Sequence, residues 1–352
     1  MLANGGRFLR VLVLCAAASL VLCEAGLRLW WPQETYVQGP RMVSDPHMGS
    51  IYPPNSLYRY HLPQRTVEFR LNEEGLRDET PHPVPKPEGL FRILLVGDSF
   101  TYGSANRYDE IWPVILERGL TGKGFAADVV KAGIPNFDTR SEIYMMQRLV
   151  PKYRPDLVIM AFLPNDIFTN EPLSSAAVAS ASIPDPLRFG MALPHLQTAE
   201  LAERLLLGND FVYTHTYWMT SRKQYFRAEL TAHAARQYAL TQDLLTEAAR
   251  YAGSQGSRFA AASIPQAFQV VATAREFALS GFAADIVDRK MGETARQQGF
   301  PWMESLPVLA ADYRAHRQEL YFREDGHFTP AGNRVFGEWL LGEVLRRYAP
   351  GR

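Results

Sequence analysis

Continuous apolar runs in the middle of the chain predict strands that are buried on both faces. Such runs occupy residues 91–96, 157–162 and 258–264, and Val129 and Val130 predict a further strand. A strand without polar alternation fits a parallel sheet whose two faces are covered by helices. The chain is therefore expected to contain a parallel sheet at its centre.

Helical periodicity fills the segments between these runs. The predicted helices span residues 108–120, 139–153, 227–251, 270–299 and 331–348. Strand–helix alternation at this spacing indicates an α/β fold. Residues 171–225 interrupt the alternation, first with Ala, Ser and Pro and then with aromatic residues, so we interpret them as an insertion at the edge of the sheet.

The N-terminal segment has the features of a membrane anchor. Arg7 and Arg10 precede an apolar run over residues 11–23, and a window over residues 8–31 has the length of a spanning helix. Arginines held on the cytoplasmic side place the rest of the chain outside the cytoplasm. We expect residues 1–31 to form a single uncleaved span, with the remainder extracytoplasmic, either periplasmic or extracellular.

Two alternatives remain open for this segment. The apolar run also suits the core of a signal peptide, and the small residues Cys23 and Ala25 would allow cleavage after Ala25. A helix buried in the core is the other alternative. Residues 32–90, rich in Pro, Gly and polar residues, are expected to form a linker with a small β-segment, because residues 66–71 alternate like a strand.

The charge balance and the cysteine content argue against nucleic-acid binding and against disulfides or thiolate metal sites in most of the chain. The 37 Lys and Arg residues balance 37 Asp and Glu residues, so the formal net charge is zero. A broad nucleic-acid surface needs a basic excess, and we therefore expect no nucleic-acid partner. The only cysteines are Cys15 and Cys23, which leaves the rest of the chain without a disulfide or a thiolate metal site.

Polar clusters follow three of the predicted strands. Ser99 lies just after the first apolar run, Gly133 after the second strand, and Asn165 after the third. Ligands bind at the carboxyl ends of strands in open α/β sheets, so these residues are expected at one edge of the sheet. A serine at a strand-to-helix turn can project its hydroxyl into a cleft, although it is a weak nucleophile without a base.

A histidine with two neighbouring carboxylates precedes the last predicted helix. His327 follows Glu324 and Asp325, and either carboxylate could bond the Nδ1–H of the imidazole and hold its tautomer. Asp98 is interpreted as a structural residue that bonds the backbone of its turn. Taken alone, Ser99 is better explained as the N-cap of the next helix.

Taken together, these segments resemble the four blocks of the SGNH/GDSL hydrolases. The blocks are the Gly-Asp-Ser tripeptide ending at Ser99, then Gly133, the Asn-Asp pair beginning at Asn165, and His327. They occur in the family's order and cover about residues 91–350. The resemblance implies a three-layer α/β/α flavodoxin-like (SGNH) sheet of about five parallel strands, with 171–225 as an inserted subdomain.

The resemblance also implies roles for these residues. Ser99 would be the nucleophile and His327 the general base. The oxyanion hole would comprise the backbone N–H groups of Ser99 and Gly133 and the side-chain amide of Asn165. No cofactor and no metal is expected.

Two positions depart from the family's pattern. The family often has Asp three residues before the histidine, where this chain has Glu324, while Asp325 lies two residues before it. We favour Asp325 slightly as the third member of the site and keep Glu324 as the alternative. The block around Gly133 often holds a second small residue, where Asn136 or Phe137 stands here.

A segment upstream of the first block carries a further resemblance. Residues 72–77, Asn-Glu-Glu-Gly-Leu-Arg, resemble the preamble of membrane-anchored members, including those near polysaccharide O-acetylation enzymes. The resemblance therefore implies a serine hydrolase acting on ester bonds. Its substrate would be a small acyl ester or an acylated cell-surface glycan, as an acyl or acetyl esterase or an O-acyltransferase. The alternative is a noncatalytic SGNH-fold binding or scaffold protein in polysaccharide assembly.

Overall fold

The protein's structure is a computed structural model that describes residues 2–32, 42–45, 49–62, 65–170, 196–323 and 326–348. The chain begins with the long helix α1 (Leu2–Trp30). Two antiparallel pairs follow, β1 (Val43–Asp45) with β2 (Gly49–Ile51) and β3 (Leu57–Leu62) with β4 (Arg65–Arg70). Among the described residues, α1 is the helix whose length and composition suit a membrane crossing, and a signal sequence would share those properties.

A five-stranded parallel sheet lies at the centre of the molecule. Its strands are β5 (Phe91–Gly97), β6 (Ala127–Gly133), β7 (Leu157–Phe162), β8 (Arg258–Ser263) and β9 (Trp302–Glu304). Their order is β6-β5-β7-β8-β9, with every neighbouring pair parallel. This is the flavodoxin-like order, in which the chain changes direction next to its first sheet strand. The predicted parallel α/β fold is confirmed.

Helices connect and cover these strands. In chain order they are α2 (Ser99–Tyr102), α3 (Trp112–Gly122), α4 (Thr139–Tyr153), α5 (Asp166–Thr169), α6 (Gln197–Leu207), α7 (Asp210–Met219), α8 (Ala232–Ser254), α9 (Ala267–Arg275), α10 (Ile286–Gln298), α11 (Leu306–His316) and α12 (Pro330–Tyr348), with 3₁₀ turns at Tyr108–Glu110 and Ser221–Phe226. Helix α3 packs against α12, while α4 and α10 pack against α8. The sheet is thus sandwiched between helices, as the three-layer prediction requires.

The apolar runs become the core because helices cover both faces of the sheet. Every residue of β7 is buried, and so are residues 93–96 of β5. Burying apolar surface is the main favourable term in folding, and strands enclosed on both faces contribute the most of it per residue. This rigid sheet fixes the positions of the loops at its carboxyl edge.

Two parts of the structure differ in detail from the sequence prediction. The segment predicted to be helical over 270–299 divides into α9 and α10, because Glu276 adopts a left-handed φ of 56° and ends α9. Arg227, at the predicted start of a helix, forms an antiparallel bridge with Phe282 instead. Helix α8 therefore begins only after its N-cap, Thr231.

The predicted insertion is partly described. Residues 171–195 lie outside the described residues, and the remainder forms α6, α7 and the following 3₁₀ turn. Helix α7 packs against α9, and α6 contacts α1. In the predicted linker, the β3–β4 hairpin packs on the main domain through a small cluster in which Phe69 stacks on Tyr102 with ring centroids 5.3 Å apart.

Candidate active site

Ser99 and His327 meet at the carboxyl edge of the sheet although they are far apart in the sequence. His327 Nε2 lies 2.7 Å from Ser99 Oγ, which is hydrogen-bonding distance. Both residues are half-buried, so the pair is held by the protein and still open to a ligand. A hydroxyl this close to an imidazole nitrogen can transfer its proton during attack on an electrophile.

Ser99 is held by the turn between β5 and α2. It is the first residue of α2, and the side chain of the N-cap Asp98 accepts a 2.9 Å hydrogen bond from the N–H of Phe100. Asp98 thus plays the structural part that its sequence context predicts. The ring of Phe100 lies 5.1 Å from the imidazole of His327, centroid to centroid, and packs against it.

Gly133 allows this turn to sit tightly on the neighbouring strand. It pairs with Gly97 in the β5–β6 register. A Cβ at Gly133 would lie 2.3 Å from the backbone nitrogen of Tyr102, a distance that no side chain tolerates. The glycine is therefore required by packing, whatever else its N–H does. Nearby, Asn136 adopts a left-handed φ of 67° and Phe137 is buried.

The loop before α12 delivers His327. Gly326 adopts a left-handed φ of 82°, which permits the sharp turn before the histidine. The carbonyl of His327 accepts a 2.8 Å hydrogen bond from the N–H of Phe322. Glu324 and Asp325, the two predicted partners of the histidine, lie outside the described residues, so the choice between them stays a prediction.

Asn165 follows β7 and lies beside the Asp98 turn. Burial raises the pKa of Asp98 to about 6, because desolvation penalises its charged form. The N–H of Phe100, the charge of His327 and the side chain of Asn165 oppose this rise. Asn165 is half-buried, and its side chain bonds the Asp98 carboxyl and does not cap α5, so it lies at the turn that carries Ser99.

Two further carboxyls are buried behind the site. Burial and the charges of Asp166 and Asp98 raise the pKa of Glu142 well above its usual range. Burial and Asp98 do the same for Asp166, although Thr139 donates a 2.8 Å hydrogen bond to it. Three acidic groups in one desolvated region disfavour one another's charged forms, so the raised pKa values of Glu142 and Asp166 favour their protonated forms.

Arg77 braces the segment that follows Ser99. It is buried, and it donates hydrogen bonds of 3.0, 2.8 and 2.6 Å to the carbonyls of Tyr102, Gly103 and Asn106. Its guanidinium also lies 4.1 Å from the centroid of the Phe69 ring. The sequence pattern over residues 72–77 did not predict a role for Arg77. In the structure, Arg77 holds the backbone of the segment that follows Ser99.

Asp210 holds the other side of the site through Arg323. Asp210 accepts hydrogen bonds from Arg323 (2.8 Å), Arg275 (2.5 Å) and the Tyr313 hydroxyl (2.6 Å). Arg323 also lies over the ring of Tyr213, 4.7 Å from its centroid. Helix α7, at whose start Asp210 stands, is therefore tied to the loop that carries His327. No sequence motif indicated this contact.

Of the four described residues with an expected role at the site, three stand at the carboxyl ends of adjacent strands of the sheet. Gly97 pairs with Gly133 on one side and with Ala161 on the other, which brings the loops after β6, β5 and β7 together. The fourth, His327, arrives from the far end of the sequence. In the described part of the chain, no group of three His, Cys, Asp or Glu side chains could hold a metal ion.

Several solved structures resemble the structure of this protein, each with low sequence identity. A member of the lipolytic protein G-D-S-L family from Veillonella parvula is 12% identical, with a TM-score of 0.44, over 73% of this chain and 99% of that one. The acetyl xylan esterase AlAXEase is 11% identical (TM-score 0.44; 72% and 100% covered). The lipase/acylhydrolase from Enterococcus faecalis is 14% identical (TM-score 0.43; 74% and 99% covered).

No family model and no curated protein matches the sequence. One fold supports many activities, so function must come from the chemistry of the site.

Proposed function

We propose that this protein is a serine hydrolase that cleaves or transfers an ester-linked acyl group. The observation that carries the proposal is the 2.7 Å contact between Ser99 Oγ and His327 Nε2 at the carboxyl edge of the sheet. A serine needs an adjacent base to become a nucleophile, and this imidazole is within reach of its proton. The half-buried setting of both groups suits a reaction with a bound ester.

The reaction proceeds through an acyl-enzyme. Ser99 Oγ attacks the ester carbonyl carbon while His327 Nε2 takes the hydroxyl proton. The tetrahedral intermediate collapses, the C–O bond to the alcohol breaks, and the imidazolium returns its proton to the leaving alcohol. Water or a sugar hydroxyl, deprotonated by the same imidazole, then attacks the acyl group on Ser99. The bond between the acyl carbon and Ser99 Oγ then breaks, and the imidazolium returns its proton to Oγ. Water as acceptor gives hydrolysis, and a sugar hydroxyl gives O-acyl transfer.

The negative charge of the tetrahedral intermediate needs hydrogen-bond donors. We assign these to the backbone N–H groups of Ser99 and Gly133 and to the Asn165 amide, whose loops follow three neighbouring strands. As the first residue of α2, Ser99 has an N–H that is not used within the helix. Donors fixed before the reaction stabilise the transition state without reorganisation.

The site is proposed to work outside the cytoplasm, tethered by α1. The spanning window Arg10–Trp30 is 21 residues long and strongly apolar, and Arg7 precedes it. Its large side chains, such as Leu14 and Leu22, are exposed rather than packed in the core. A reporter enzyme fused to the C-terminus should be active only after export. N-terminal sequencing of the mature protein should find residues of α1, and a start at Gly26 would indicate a cleaved signal instead.

A fluorophosphonate probe tests the nucleophile. We expect the wild-type protein to be labelled on Ser99 and to hydrolyse p-nitrophenyl acetate, and the Ser99→Ala variant to do neither while keeping the same circular dichroism spectrum. Ser104→Ala is the matched control, because Ser104 is half-buried in the same segment, whereas the imidazole of His327 pairs with Ser99. A folded wild-type protein that the probe does not label would favour the noncatalytic binding or scaffold alternative.

A further inference from the structure

The end of α1 is joined to the start of α6 by a carboxylate. Glu24 accepts hydrogen bonds from the backbone N–H groups of Gln197 (3.0 Å) and Thr198 (2.9 Å) and from the Thr198 hydroxyl (3.0 Å). The first N–H groups of a helix have no partner within it, and a negative charge there is favoured by the helix dipole. One turn later Leu27 is buried, so the two helices are packed as well as bonded.

This junction lies within the candidate spanning window of α1, directly after its apolar run. Glu24 belongs to the window Arg10–Trp30 and precedes Trp30 by six residues. At the helical rise per residue this places it about 9 Å along the axis from Trp30. Tryptophans tend to lie at the membrane–water boundary, so Glu24 would lie below that boundary, where a carboxylate needs donors. Arg28 of α1 donates one such bond, at 2.8 Å, and the first turn of α6 supplies three more, which draws α6 toward the same depth.

The helices next to this junction expose large apolar side chains. Leu205 of α6 is 69% exposed, and Phe211 and Met219 of α7 are 58% and 78% exposed. Phe211 and Met219 are eight residues apart and therefore lie on one face of α7. Large apolar side chains grouped on a soluble surface usually mark a contact with another molecule. Here the neighbouring element is a helix suited to a bilayer.

We propose that α6 and α7 lie in the membrane interface, with Leu205, Phe211 and Met219 in contact with the acyl chains of bilayer phospholipids. This inference rests on the membrane anchoring proposed above. The face of α7 turned away from lipid would be the one that carries Tyr213 against Arg323. Because Arg323 belongs to the loop that delivers His327, the site would open close to the bilayer. A substrate held on a membrane-bound carrier would then reach Ser99 along the surface.

Spin labels can test this surface in the full chain. Cys15 and Cys23 are first replaced by alanine, and single cysteines are then introduced as Leu205→Cys, Phe211→Cys and Met219→Cys. Val84→Cys is the matched control, since Val84 is 53% exposed but lies beside the amino end of β5, at the opposite end of the sheet. Each labelled protein is reconstituted in vesicles of phosphatidylcholine and phosphatidylglycerol. Accessibility to oxygen, which enters the bilayer, is compared with accessibility to a water-soluble nickel complex.

We expect a several-fold higher oxygen-to-nickel ratio at the three helix positions than at Val84. Adding Glu24→Ala should lower that ratio at Leu205→Cys and leave it unchanged at Val84→Cys. Labels that are more accessible to the nickel complex than to oxygen at all positions would overturn the inference. Labels that are shielded from both reagents would overturn it too, because they would indicate contact with protein, such as a second copy of the chain. Flotation of the vesicles distinguishes failure of this inference from failure of the proposed anchoring. A protein that does not float with the vesicles is not anchored, which would refute both. Fluorophosphonate labelling of Ser99 reports independently on the fold and on the hydrolase proposal.

Discussion

The side-chain amide of Asn106 donates a 2.7 Å hydrogen bond to the backbone carbonyl of Phe328. Asn106 belongs to the segment that follows Ser99, and Phe328 directly follows His327. Both are buried, and Asn106 is also held at its own carbonyl by Arg77. This single bond therefore fixes the strand-edge segment of the nucleophile relative to the loop of the base.

Replacing this amide should impair catalysis more than folding. We expect Asn106→Ala to lower kcat by about 10²-fold with little change in KM, since small displacements of reacting groups are costly. The unpaired Phe328 carbonyl should also cost about 1–3 kcal/mol of stability. Ser257→Ala is the control, because it orphans the buried Pro155 carbonyl at the opposite end of the sheet. Equal effects of both variants on kcat would reduce Asn106 to a purely structural residue.

The brace formed by Arg77 can be compared with a second buried arginine. Arg92 is equally buried, but it bonds Asp128 and two carbonyls at the amino end of the sheet. Lysine keeps the charge and loses the planar fork that reaches several acceptors at once. Arg77→Lys and Arg92→Lys should both lower the melting temperature. Only Arg77→Lys should slow fluorophosphonate labelling of Ser99, by about tenfold or more.

The proposed oxyanion donor Asn165 has a natural comparison in Asn170. Removing one preorganised donor typically costs about 10²–10³ in rate. We expect Asn165→Ala to lose this factor in kcat. Asn170 lies one helical turn further on and bonds Thr139 and Thr241, so Asn170→Ala should lower stability and leave kcat near the wild-type value. A loss confined to KM in Asn165→Ala would mean that Asn165 binds the substrate instead.

The sheet could be predicted because each long strand is an uninterrupted apolar run. Strand β9 could not, since Trp302–Glu304 is three residues long and has neither a run nor an alternation to detect. The division of residues 270–299 depends on the left-handed conformation of Glu276. Helices often end at a glycine in this conformation, and the sequence has no glycine at this position. Short and irregular elements are determined by tertiary contacts, which the periodicity of apolar residues along the sequence does not reveal.

The residues expected at the site could be named because they stand at strand ends or beside a helix start. Their supports could not, because Arg77 reaches carbonyls 25 to 29 positions away and Asn106 reaches one 222 positions away. Backbone acceptors leave no trace in the sequence. The contact between Asp210 and Arg323 could not be predicted either. In the sequence, an isolated acidic residue at a helix start is the same whether its side chain is solvated or bonds an arginine.

A buried histidine far from the site should make stability depend on pH. His82 lies between Asp128 (2.6 Å) and Asp78 (2.7 Å). Burial alone would lower the pKa of His82, but hydrogen bonds and charges from these two carboxylates outweigh it and raise the pKa to about 9. The folded state therefore holds this proton more tightly than the unfolded state, whose histidine titrates near its ordinary value of 6.5.

The resulting stabilisation is complete below about pH 6.5 and is lost as the pH rises through about 9. We expect the melting temperature of the wild-type protein to fall over this range. His82→Asn should melt lower at the acidic end and show a flatter profile, because asparagine does not titrate. Parallel profiles for the two proteins, followed by tryptophan fluorescence, would show that His82 is not the responsible group.

The two carboxylates before His327 can be separated by matched amide substitutions. An orienting carboxylate stabilises the imidazolium that forms during attack, so its loss lowers kcat. Asp325 needs the chain to double back sharply, and the left-handed Gly326 permits such a turn. We therefore expect Asp325→Asn to lower kcat more than Glu324→Gln in two folded variants, measured with p-nitrophenyl acetate. The reverse ranking would assign the role to Glu324, and unchanged rates in both would leave Ser99 and His327 to act as a pair.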